Sequence, residues 1–386
     1  QEPGSKVNRI NRAALDLSVG GGPEQVAAVE SLTALLDDPE VGLQALRLLL
    51  RYAVRGADAV RLEELQSRAP GGDPAADMLF LEAAGQMGQA PDRRLVERVW
   101  NGTEPGSLER SRLGGWLVNR GRGDWLIDLA EQEPEDRRWH FPVGLALAEA
   151  HVQTGQINEA LDGLAEVRWP GLEYLRMFVR ARLAADVSGE ASETFLGLAL
   201  DKSGEESAPW SHLFETARSW GWREGMVAVA RHAVGKTAVD SPRFPVWMDQ
   251  VMALRDAEGL LLASERFLEQ HPDHVPSLNN AAYAAFLLRR DLGQALDRAR
   301  RAYELSPQFA GVRSTLAFLE MEQGDLARAE RLLEKMPEED PHRWLGQLYL
   351  MRKRGASLPP GLREAVGRHR YFWPEEEELK AELSHF

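Results

Sequence analysis

From Leu278 to Pro307 the chain reads LNNAAYAAFLLRRDLGQALDRARRAYELSP, and moving it 34 residues onward lays it over a second copy of its own pattern. Ala282 falls on Leu316, Ala285 on Leu319, Ala295 on Ala329 and Pro307 on Pro341, while the break after Arg290 meets Gly324. A period of this length constrains the fold more than any bulk property does. One such unit is a single supersecondary element with an apolar face it cannot bury alone, so neighbouring units must stack and share a core.

The remainder of the chain fits that expectation. Nearly every segment reads as an amphipathic helix of roughly 10–15 residues between short Gly, Asp or Pro breaks. The breaks resemble one another, with GRGDW at 121–125, TGQIN at 154–158, GWREG at 221–225, RDLGQ at 290–294 and QGDLA at 323–327. Each is placed for a tight antiparallel turn. An early alanine in the following helix, as at Ala160, Ala295 and Ala329, lets two helices approach closely. No period-2 alternation bounded by hairpin turns is found, which predicts essentially no sheet. Further breaks are read at 18–25, at Asp37–Pro39 and at 70–77, and the run after Trp373, with Pro374 and four glutamates, suits a helix start.

These residues resemble the tetratricopeptide repeat family, whose units are 34-residue helix–turn–helix pairs. At 276–309 the matching positions are Ala282, Tyr283, Phe286, Ala295, Ala299, Ala302 and Pro307. At 310–343 they are Leu316, Ala317, Gly324, Ala329, Leu333 and Pro341, with Glu320 in place of the usual aromatic and Met336 in place of the usual late alanine, marking a looser unit. A third match at 141–170 has Leu147, Ala148, His151, Gly155, Ala160 and Leu164. The resemblance implies an all-α fold, a right-handed α-solenoid of stacked antiparallel helix pairs. It divides the chain into degenerate N-terminal repeats (1–140), clearer repeats (141–343) and C-terminal capping helices (344–386).

The resemblance also implies a function: a non-catalytic scaffold that binds a protein or peptide segment on its concave, helix-A surface. By the family's pattern the partner-binding residues are Asn280, Ala284 and Leu287 in one unit and Ser314, Phe318 and Met321 in the next, with Leu145, Glu149 and Val152 in the third match. Such an apolar strip suits an amphipathic helix or an extended segment. Two alternatives make the strip ordinary core, namely a tightly curled solenoid or a tail after Trp373 that covers it. Asn280 is present but the lysines of the carboxylate-gripping clamp are not, which disfavours chaperone-tail binding.

Composition narrows the other function classes. A formal net charge of −14 opposes nucleic-acid binding, which needs a basic stripe, and opposes anionic membranes. The absence of Cys removes disulfides, iron–sulfur clusters and thiol catalysis, and no cofactor or metal is expected. The stretch ARHAVGKT (230–237) satisfies a relaxed phosphate-loop pattern, but a helix precedes it where the mechanism needs a strand. Gly235 there reads as a helix C-cap. Arg122–Asp124 (RGD) and His271–His274 (HPDH) both read as turns. The 11 Trp residues read as packing between units, with one or two left for a binding surface. The alternatives to a scaffold are an accessory helical domain of a cell-envelope assembly protein and an all-helical enzyme with its acids hidden among surface carboxylates. The start at Gln1 rather than Met suggests a mature or trimmed piece. The favoured setting is the soluble part of an anchored or exported bacterial envelope protein, with the cytoplasm as the alternative.

Overall fold

The computed structural model describes residues 5–68, 73–357, 359–369 and 373–384; part of the break read at 70–77 therefore lies outside the described residues. The chain divides into two compact units, Gln1–Phe195 and Leu196–Phe386. This contact-based division differs from the three-part scheme above, which follows the strength of the repeat signature.

In the first unit the helices are α1 (Lys6–Val19), α2 (Gly22–Thr33), α3 (Gly42–Arg55), α4 (Ala59–Arg68), α5 (Pro74–Gln86), α6 (Arg93–Gly102), α7 (Leu108–Asn119), α8 (Gly123–Ala130), α9 (Glu135–Arg138), α10 (Val143–Thr154), α11 (Ile157–Glu166) and α12 (Glu173–Ala185). The division falls within α13 (Gly189–Lys202). The second unit continues with α14 (Ser207–Ser219), α15 (Arg223–Lys236), α16 (Phe244–Leu254), α17 (Ala257–Gln270), α18 (Val275–Leu287), α19 (Leu292–Leu305), α20 (Ala310–Glu322), α21 (Leu326–Glu334), α22 (Pro341–Arg354), α23 (Pro360–Arg368) and α24 (Pro374–Ser384). Among the described residues no strand occurs, and both units are antiparallel helix pairs.

The helix starts follow from local chemistry. Asp73, Asp92, Ser107, Asp291, Asp325 and Asp340 each turn a side-chain oxygen onto a free backbone N–H of the first turn. The turns do too. Gly155 and Gly324 take φ of +75° and +85°, a left-handed conformation that ends one helix and reverses the chain into the next. At the break read at 290–294 the left-handed residues are Arg289, just before it, and Asp291 within it, and Gly293 lies inside α19.

Consecutive pairs α18–α19 and α20–α21 reproduce the 34-residue register, with turns at 288–291 and 323–325. Ala295 and Ala329, at the close approach of each pair, are fully buried. Ala295→Trp or Ala329→Trp is expected to cost roughly 1–3 kcal/mol through overpacking, read as a lower denaturation midpoint. Trp100, Trp169 and Trp210 are fully buried, in keeping with the packing role expected of the tryptophans. Unlike the aromatic it replaces, Glu320 holds its place by charge. It is 1 % exposed and paired with Arg300 (3.1 and 3.2 Å) and Arg328 (3.1 Å).

Candidate functional site

In the second unit the first helices of successive pairs, α18, α20 and α22, lie side by side and carry the strip expected to receive a partner. Of the two alternatives for this strip, open or covered, the burial fits the covered one. Ala284 and Phe318 are fully buried, Ser314 and Met321 nearly so, and Leu287 is 8 % exposed; only Asn280 stays partly accessible.

Two features close the strip. The first is a run of rings across three helices. Phe286 of α18 stacks on Phe318 of α20 at 5.1 Å, Tyr349 of α22 lies 6.3 Å from both, and Tyr283 lies 6.4 Å from both. The second is the C-terminal helix. Leu379 and Leu383, one turn apart on α24, are buried in the same apolar cluster as Phe318, Met321 and Leu287, with Trp373 against it. Glu376, in the first turn of α24, accepts a hydrogen bond from the Tyr283 hydroxyl of α18 and lies 3.2 Å from His342 Nε2 of α22. Helix α24 thus packs on α22, and its first turn reaches across to α18. The covered-strip alternative is the one present.

Glu376 is the most perturbed carboxyl of this face. Burial raises it from the ordinary glutamate value to about 7, against the opposing pull of the Trp373 N–H (2.6 Å) and of Arg255; neighbouring Glu377 raises it further. Because the docked pKa lies above the free one, the stabilisation is complete below about pH 4.5 and is lost as pH rises through about 7. The full shift corresponds to about 3 kcal/mol. Hydrogen exchange of 374–384, corrected for intrinsic rates, is expected to be faster at pH 8 than at pH 5.5, and Glu376→Gln to flatten the difference. An unchanged pH dependence in Glu376→Gln would show that Glu376 is not its source.

Residues 286–348 match the family model described as tetratricopeptide repeat, covering the end of α18 through most of α22. This segment is a tetratricopeptide repeat array. No curated protein matches the chain. Among solved structures, yeast Tom70 aligns at 11 % identity over 99 % of this chain and 88 % of its own, with a TM-score of 0.29. A Cut9–Hcn1 hetero-tetramer of the APC/C aligns at 13 % identity over 99 % and 73 %, TM-score 0.29. Naa15/Naa10 bound to HypK-THB aligns at 13 % over 94 % and 68 %, TM-score 0.28. Scores this low support no functional comparison.

Outside the tetratricopeptide segment, the remaining motifs resolve into structural parts. Ala230–Lys236 is helical, Lys236 is the exposed last residue of α15, and the cap is Thr237 rather than Gly235. Arg122 and Asp124 pair with each other at the α7–α8 turn, with Arg122 held 3.8 Å over the Trp125 ring. His271 and His274 end α17 and cap α18, each ring against Phe267 at 4.6 and 4.7 Å. Among the described residues no three His, Asp or Glu side chains are grouped to hold a metal ion, and no helix is long and apolar enough to cross a membrane.

Proposed function

We propose that this chain is a non-catalytic protein-interaction scaffold whose tetratricopeptide segment accepts an amphipathic helix along α18, α20 and α22. The observation that supports this reading is the seating of α24. Its Leu379 and Leu383 are buried in the shared cluster while Glu376 engages Tyr283 and His342, the pattern of a helix laid in a groove by anchors one turn apart. A partner helix with two apolar anchors at that spacing and a carboxyl in its first turn meets the same contacts. Asn280, Ala284, Leu287, Ser314, Phe318 and Met321 are then partner-binding residues in exchange with α24. The net charge of −14 supports a protein rather than a nucleic acid as the occupant.

The test uses the full chain carrying Leu379→Glu and Leu383→Glu together with a synthetic peptide of residues 373–384. Saturable binding by calorimetry to the variant, with little or none to the parent, is the expected result. A variant that keeps its circular dichroism yet binds no peptide would sink the proposal.

A further inference from the structure

The first unit contains a cavity of about 1090 Å³ bounded by α8, α10, α11 and the chain following α9. Its aromatic wall is Trp139, buried and stacked on the His151 ring at 5.2 Å. The backbone that carries the indole is held by the Trp169 Nε1–H, which donates to the Trp139 main-chain carbonyl at 2.9 Å. The indole itself depends on Gly163, where an added Cβ would lie 2.1 Å from the ring.

Four carboxylates line the same cavity: Glu131, Glu159, Asp162 and Glu166. All are exposed, and among the described residues none has a side-chain hydrogen bond or an ion pair. Acids close by in sequence are neutralised, Glu133 by Arg110 at 2.5 Å and Glu173 by Arg176 at 2.7 Å. Nor is the charge cancelled from within. The Arg138 guanidinium is committed to the carbonyls of Ala130, Glu131 and Glu133 (3.0, 3.2 and 3.4 Å), leaving exposed Arg168 as the other cation of the lining.

His151 supplies an independent observation. It lines the cavity, is 7 % exposed, and its Nδ1 has no hydrogen-bond partner. Burial holds its pKa below the ordinary histidine value, outweighing the upward pull of Glu159, the Gln156 backbone and Glu131, with Arg138 also lowering it. Burial thus favours the uncharged ring. Apart from Arg168, the unmet groups of the cavity are carboxylate oxygens, an imidazole that burial disposes to be neutral and an indole, all electron-rich. A group that offers only donors and positive charge complements every one of them.

We infer that this cavity is a docking site for a protonated amine or guanidinium, the Lys or Arg side chain of a protein partner. Charge complementarity carries the choice of occupant, and four carboxylates in one lining, three of them on α11 and one just after α8, suit a segment with more than one basic residue. The site is independent of the groove in the second unit, so either proposal can fail alone.

The experiment titrates the full chain with a capped Gly/Ser hexapeptide bearing two arginines, its norleucine counterpart, and spermidine, by calorimetry and by NMR of 15N-histidine. The expected result is saturable binding of the arginine peptide with Kd below about 1 mM, a shift of the His151 resonance, and no binding of the norleucine peptide. The variant Glu159→Gln/Asp162→Asn/Glu166→Gln changes exposed side chains only and is expected to weaken binding about tenfold or more, a loss of about 1.4 kcal/mol. Absence of saturation, a silent His151, or equal affinity in the triple variant would overturn the site. Spermidine binding as tightly as the peptide would overturn a protein side chain as the occupant.

Discussion

Phe318→Ala is expected to destabilise the second unit by about 3–5 kcal/mol, the cost of removing a fully buried aromatic, and Phe318→Glu to prevent that unit from folding. Phe318 is wholly buried and touches rings from both flanking helices, Phe286 at 5.1 Å and Tyr349 at 6.3 Å. Its removal opens a cavity that three helices border, and none of them relaxes without losing its own contacts. A glutamate there would place a charge with no partner among those rings. On an open binding groove the alanine change would cost less than about 1 kcal/mol. Asn280→Ala, on the same strip but partly accessible, is the control and is expected to stay within about 0.5 kcal/mol. Guanidinium melts of the three variants measure the difference. A Phe318→Ala chain as stable as its parent would mean that the ring is not core.

The second large effect concerns the buried carboxylate of α20. Arg300→Met combined with Arg328→Met is expected to cost about 3–5 kcal/mol, because Glu320 then stays buried without a counter-ion. Either single change leaves one guanidinium in place and is expected to cost less than half as much. Glu320→Leu runs the other way. Its two arginines are partly exposed and regain water, and a well-packed apolar residue replaces a desolvated charge, so the stability is expected to be unchanged or to rise. The double-mutant cycle of Arg300→Met with Glu320→Leu isolates the pair. A double arginine variant no less stable than the better single one would show that Glu320 is solvated or neutralised by other means.

The helix pairs were legible because their determinants are local and repeat. Ala295 and Ala329 recur at one period, Gly155 and Gly324 supply left-handed turns, and aspartates cap the helices that follow α18 and α20. Those residues act on neighbours a few positions away, so the sequence by itself determined the all-helical class, the register of 276–343 and the turn roles of RGD and HPDH. It could not rank Glu320 correctly, because Arg300 and Arg328 lie on other helices and a departure at one repeat position gives no sign of its partners.

The candidate site depended on contacts of the opposite kind. Whether Leu287, Phe318 and Met321 face solvent is decided by Tyr283 and Phe286 on one side and by α24 on the other. Glu376 reaches Tyr283 across 93 residues of chain. Apolar side chains at helical spacing satisfy an internal helix and an external one equally well, since burial of apolar area carries no information about which chain supplies the cover. The same holds for the cavity in the first unit, where Trp139, His151 and four unpaired acids come from separate segments. Local periodicity determined the repeat, and only the tertiary structure decided which faces were already filled and which acceptors remained unmet.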